Sequence, residues 1–91
     1  MLLPVYTSAF ARDLKRAIKR GKDPQKITAV IQLLCEQAPL PPTLKDHPLK
    51  GSYTGFRDCH IEPDLILIYR IEANQLQLIC AHLGSHSDLF K

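Results

Sequence analysis

Four histidines in 91 residues are the groups best able to do chemistry at neutral pH, because an imidazole there can either hold a proton or lack one. His47 falls in a proline-rich stretch, and His60 closes a strand-like run beside Glu62-Pro63-Asp64. His82 ends the last such run, and His86 lies in the tail Gly84-Ser85-His86-Ser87-Asp88-Leu89-Phe90. Loops and strand ends are where a rigid scaffold presents reactive groups. One histidine in such a place is usually a hydrogen-bonded surface residue. Several at the boundaries of neighbouring elements can converge at one end of a sheet.

Of the chemistries these residues could support, metal binding is weak. His82 and His86 have HxxxH spacing, but Gly84 between them argues against the helix that would put both on one face. Asp58, His60, Glu62 and Asp64 alternate at strand period, yet Pro63 bends that row. Nucleophilic catalysis fares no better: no GxSxG elbow is present, and the adjacent Cys59 and His60 should point to opposite faces of a strand. No glycine-rich phosphate loop occurs. General acid–base chemistry needs no cofactor and no metal. RNA supplies its own nucleophile, the ribose 2′-hydroxyl, so cleavage asks only for positioned acids, bases and cations, each proton transfer offering about 10²–10⁴-fold in rate. Arg57 and Lys50 are candidate cations for the phosphate, with a structural role holding Asp58 or the loop an equal expectation for Arg57. Tyr53, Phe56 and Phe90 are candidates for stacking on unpaired bases, with core packing the stronger expectation for Phe56.

The elements that must position these groups follow from the apolar pattern. Leu2 to Tyr6 suits a short strand, at an edge because of Pro4. From Ser8 the period changes, and Phe10, Leu14, Ala17 and Ile18 form one stripe of an amphipathic helix that Gly21 ends. Asp23 caps a second helix with Pro24 in its first turn and Ile27, Val30, Ile31 and Leu34 as its buried stripe. Prolines 39, 41, 42 and 48 break regular structure from Ala38 to Gly51. Strands are expected from Ser52 to His60, from Leu65 to Ile71 (apolar on both faces, hence central) and from Leu76 to His82. The order β-α-α-β-β-β predicts a single α+β domain over residues 1–91, with the helical hairpin on one face of a small, mostly antiparallel sheet and the other face free. Alternation puts His82 beside Leu76, Leu78 and Cys80.

Composition bounds the rest. Net charge is +3, and seven of the twelve cations lie between Arg12 and Lys26, a concentration that favours a polyanion or an acidic protein partner over a neutral one. Three cysteines without CxxC pairing predict reduced, half-buried thiols in a cytoplasmic protein. The N-terminal apolar run is too short for a signal peptide, and no stretch approaches the ~20 apolar residues of a membrane span.

The pattern KDHPLxGxxxGxRDxHxxPDxxLIY from Lys45 to Tyr69, with the ending GSHSDLF from Gly84 to Phe90, resembles the YafQ branch of the RelE/ParE toxin superfamily. The resemblance implies a RelE-like fold and the toxin of a type II toxin–antitoxin system, an mRNA interferase that cleaves messenger RNA on the ribosome without a metal. It also implies a cognate antitoxin, commonly of ribbon-helix-helix type, through which operator DNA is reached indirectly, and no membrane. Carried over by motif, His47, His60, Asp64 and His86 correspond to the catalytic set, with Phe90 accessory. His86 is expected as general acid or base, His60 and Asp64 as its supports, and His47 on the phosphate or sharing in proton transfer. Many relatives carry arginine where this chain has His82, which implies weaker or more pH-dependent activity. A ParE-like toxin that binds DNA gyrase without catalysis, or an inactive relative that keeps only antitoxin binding and repression, shares the same fold.

Overall fold

Thr7 shows how the chain turns from strand to helix. Its side chain accepts from Phe10 N–H at 3.0 Å, capping the first helix, and its hydroxyl donates to the Ala81 carbonyl at 2.8 Å, fixing that helix to the last strand. A computed structural model describes residues 1–90. Its elements are β1 (Leu3–Tyr6), α1 (Ser8–Lys19), α2 (Pro24–Cys35), β2 (His47–Pro48), β3 (Arg57–Glu62), β4 (Leu65–Glu72), β5 (Gln77–Gly84) and α3 (His86–Leu89). Gly21 leaves α1 with φ +87, and Asp23 caps α2 by accepting from Gln25 N–H at 2.9 Å.

The sheet runs β1-β5-β4-β3-β2, with β1 parallel to β5 and the other pairs antiparallel. β4 is central, and both edge strands carry a proline, Pro4 and Pro48, that withholds a ladder donor. Phe10, Ala17, Ile27, Ile31 and Leu34 of the helical hairpin pack with Cys59, Leu65, Leu67, Tyr69, Leu78, Cys80 and Leu83 on the rear face of the sheet. Ile18 is 46% exposed and leaves the expected stripe. Eight residues after Phe10, it has rotated about 80° from the buried line at 3.6 residues per turn.

Five details depart from the pattern-based reading. β3 begins at Arg57 rather than Ser52, because Gly51 and Gly55 take φ of +68 and +94 and turn the preceding segment out of the extended conformation. Leu76 has φ +53 and lies in the β4–β5 turn, 61% exposed. The proline-rich loop contains β2, and the tail contains α3. The front face is not bare, since Ile66 and Ile68 are 1% and 0% exposed while side chains of the 49–56 segment and of α3 lie against that face.

Two register shifts decide which side chains reach the front. In β5, Cys80 pairs with Tyr69 and His82 with Ile68, so Ala81 is an extra residue. The bulge reverses the alternation: Leu78, Cys80 and Leu83 enter the rear core, and His82 does not. In β3 a second shift falls between His60 and Glu62.

Candidate active site

Arg57, Asp58, Cys59 and His60 are consecutive on β3 and alternate across the sheet. Cys59 is fully buried in the rear core, where burial pushes its thiol up to about 12, so it is no nucleophile. Cys80 is likewise pushed up to about 12, and all three cysteines are buried and free. Asp58 and His60 face the front.

Asp58 is 3% exposed, and His47 of the paired strand β2 stands opposite it, with Nδ1 3.0 Å from Asp58 Oδ1. The same nitrogen lies 2.7 Å from the Lys45 carbonyl. A carbonyl can only accept, so Nδ1 carries the proton. The His47 ring therefore offers Nε2 to any ligand, as an acceptor when neutral and as a donor when charged. The contact to Asp58 has the reach of an ion pair but not the alignment of a hydrogen bond, leaving Oδ1 without a geometric donor among the described residues. Burial pushes the Asp58 carboxyl above its ordinary range, against the opposing pull of His47 and His60. The His47 and His60 ring centres are 6.5 Å apart.

His86 comes from the other end of the chain. It opens α3, whose first turn closes a capping box: Ser85 Oγ accepts from Asp88 N–H at 3.2 Å, and Asp88 Oδ2 accepts from Ser85 N–H at 2.9 Å. Arg20 Nη1 reaches Asp88 Oδ2 at 2.7 Å, with Arg16 Nη2 at 3.7 Å, tying α3 to the rear of α1. Arg20, then the Ser85 backbone, holds the Asp88 carboxyl far below the usual carboxylate range. Gly84 makes room for this, since a Cβ there would lie 2.9 Å from Asp88 Oδ2. Asp64 Oδ1 accepts from the His86 backbone N–H at 2.9 Å. Asp64 thus holds the backbone that carries His86, and not a ring.

His47, Asp58, His60, His86, Leu49 and Phe90 line one open pocket of about 340 Å³. Phe90 packs on His86 at 5.1 Å between ring centres and on Tyr53 at 5.9 Å. Tyr53 in turn meets the edge of His82 at 5.8 Å, so the β5 bulge brings His82 to the rim of the same aromatic group. His82 Nδ1 is also 3.8 Å from Asp13 Oδ2, which accepts from Leu83 N–H. Phe56 is not in the core cluster; it packs edge-on to Tyr53 and under the Arg70 guanidinium at 5.0 Å. Lys50 is exposed.

Of its two expected roles, Arg57 takes the structural one. Its side chain is on the rear, donating to Asp46 Oδ2 from Nη2 at 2.9 Å, across the sheet from the pocket. Alternation puts it there, because Asp58 beside it takes the front. Asp58 is the residue that sequence reasoning passed over as a role-holder; its signal was the RDxH spacing, which gives Asp58 and His60 one face. The basic run divides as well: Arg16 and Arg20 serve Asp88, Lys22 and Lys26 pair with Glu62, and Arg12, Lys15 and Lys19 stay exposed.

Among the described residues, no three His, Cys, Asp or Glu side chains are grouped to hold a metal ion. The arrangement is a set of imidazoles around a cleft, with a buried carboxylate at its floor and aromatic rings at its rim.

A five-stranded mixed sheet backed by a helical hairpin, with this cleft on its front, is the architecture of RelE-like toxins. A metal-bound toxin from Helicobacter pylori matches it with a TM-score of 0.93 at 43% identity, over 99% of this chain and 100% of that one. The Escherichia coli DinJ–YafQ complex matches with a TM-score of 0.89 at 40% identity, over the whole of both chains. The mRNA interferase toxin YafQ of Escherichia coli K12 is 43% identical over 86 residues, covering 93% of this chain and 91% of that protein. The family model for YafQ, bacterial toxin of type II toxin–antitoxin systems, matches residues 3–91, and the chain belongs to that family.

Proposed function

We propose that this toxin is an mRNA interferase, an endoribonuclease that cuts messenger RNA on the ribosome by metal-independent acid–base catalysis with 2′-hydroxyl attack. The observation that carries this reading is the convergence of His47, His60 and His86, from three distant stretches of chain, on one pocket with Asp58. His86 exchanges a proton with the ribose or with the departing 5′ oxygen. His47, protonated at Nδ1 by its contact with Lys45, meets the phosphate through Nε2, with Asp58 3.0 Å from Nδ1 on the other side. His60 lies beside both. Tyr53 and Phe90 offer faces on which a base can stack. Two such proton transfers account for about 10⁴–10⁸-fold in rate, leaving orientation by the ribosome-held message to supply more.

The toxin acts in the cytoplasm and is held inactive by an antitoxin of ribbon-helix-helix type; the Escherichia coli relative is seen in a DinJ–YafQ toxin–antitoxin complex. Operator DNA is reached only through that antitoxin. The exposed cations of α1 suit either an acidic antitoxin segment or ribosomal RNA. Expression of the toxin alone, with transcripts mapped with and without ribosomes, tests the reading. Growth arrest with cuts confined to ribosome-bound messages supports it. Growth arrest with intact transcripts would instead favour a gyrase-binding toxin.

A further inference from the structure

The front pocket depends on His47, yet β2, which carries it, is only two residues long and sits at the sheet edge. One of the two, Pro48, has no N–H to give to the ladder. The preceding loop borders an open cavity of about 510 Å³ lined by Leu34, Pro39, Pro42 and Ile71 among others, and its Leu40 and Leu44 are only partly buried against the core. The turn ends at Lys45 with φ +51, a left-handed conformation that a non-glycine residue holds only under restraint. Backbone pairing alone is thin support for an imidazole that must stand over Asp58.

Asp46 supplies the missing restraint. Its carboxylate accepts from Arg57 Nη2 at 2.9 Å and Nε at 3.4 Å and from the Tyr69 hydroxyl. Arg57 and Tyr69 are themselves cross-strand partners on β3 and β4, and Tyr69 is 2% exposed in the rear core. A carboxylate gripped by a guanidinium fork and a buried phenol has its plane and depth fixed. Consecutive residues of an extended chain project to opposite faces, so fixing Asp46 at the rear fixes the direction in which His47 leaves at the front. It also fixes the Lys45 carbonyl that accepts the hydrogen bond from Nδ1–H.

We infer that Asp46, Arg57 and Tyr69 form a clamp behind the sheet that sets the position and tautomer of His47, and that all three are positioning residues for the cleavage reaction. This rests on the ribonuclease reading for its kinetic consequence, but not for its effect on the ring. Arg57 then has a function without touching RNA, and the motif residues on both sides of the sheet act on one side chain.

The test uses the full chain and the variants Tyr69→Phe, which removes a single hydroxyl, and Asp46→Asn, which keeps the side-chain shape. Long-range ¹H–¹⁵N correlation reads the ring nitrogens of His47, and steady-state cleavage of ribosome-bound message reads kcat and KM. The clamp predicts that neutral wild-type His47 carries its proton on Nδ1 and that both variants shift toward the Nε2–H form. It predicts kcat lower by about ten- to a hundredfold with KM within about twofold. Unchanged His47 shifts in both variants overturn the clamp, even if activity falls with stability. A wild-type chain that cleaves no message, with ring shifts that still move in the variants, keeps the clamp and sinks the ribonuclease reading instead.

Discussion

Asp64 can be separated from the proton-transfer residues by two substitutions at one position. Its carboxylate accepts from the His86 N–H at 2.9 Å, at the start of a helix only four residues long. A single helical turn has little stability of its own, so the placement of His86 leans on such contacts. Replacing a capping carboxylate by alanine removes about 1–2 kcal/mol. If all of that goes into holding His86 in its reacting position, Asp64→Ala lowers kcat by about 5- to 30-fold. Asparagine retains an oxygen that accepts from the same N–H, with about half the strength of a charged acceptor. Asp64→Asn therefore costs only about two- to fivefold in kcat. The assay is steady-state cleavage of a ribosome-bound message, with melting temperatures beside it; because α3 is peripheral, Tm falls by less than about 8 °C in either variant. An asparagine variant as impaired as the alanine variant, with both beyond a hundredfold, would refute this reasoning and make Asp64 a proton-transfer group.

His86→Gln keeps the fold and loses nearly all cleavage and toxicity; full toxicity in that variant, scored by growth on induction, would remove His86 from the mechanism. EDTA leaves cleavage by the purified toxin unchanged, and loss of activity restored by added zinc or copper would show a metal at work. The Asp88 carboxyl is held far below its unfolded value near ~3.9 by Arg20 and Ser85, so its stabilisation is present above that value and lost as pH falls through the lower, folded one. Arg20 is half exposed and the pair is screened; Asp88→Asn accordingly costs about 1 kcal/mol at pH 7 by thermal melts, and the gap to wild type narrows steadily below about pH 4.

Much of the architecture could be read from local pattern. The α2 stripe of Ile27, Val30, Ile31 and Leu34 repeats at helical period behind an Asp23-Pro24 start, and every one of those side chains is buried. The apolar run from Leu65 identified the central strand because both of its faces are covered. What resisted reading was set by pairing between distant residues. The extra residue at Ala81 reversed the direction of His82, and alternation counted on one strand has no means of detecting a bulge that its partner defines. β2 exists only because His47 and Pro48 meet Asp58 and Arg57. Charge alone leaves Arg57 between the phosphate and the loop; its direction is evident only once Asp58 is placed at the front. The short helix α3 does have a local signal, the Ser85-His86-Ser87-Asp88 capping box, but no apolar stripe follows it to mark a helix.

The three histidines reach the pocket because three different devices bring them there: a two-residue edge strand, the alternation of β3, and a capped single turn fastened to α1. Each device uses residues behind or beside the sheet, which is why the motif extends well past the groups that face the pocket.

The most direct test is cleavage of a ribosome-bound message carrying a single 2′-deoxy nucleotide on the 5′ side of the scissile bond. Acid–base chemistry by these imidazoles predicts that this message resists cutting, and that the all-ribose message yields 2′,3′-cyclic phosphate and 5′-hydroxyl ends. Equal cleavage of both messages, with 3′-hydroxyl and 5′-phosphate ends, would contradict it.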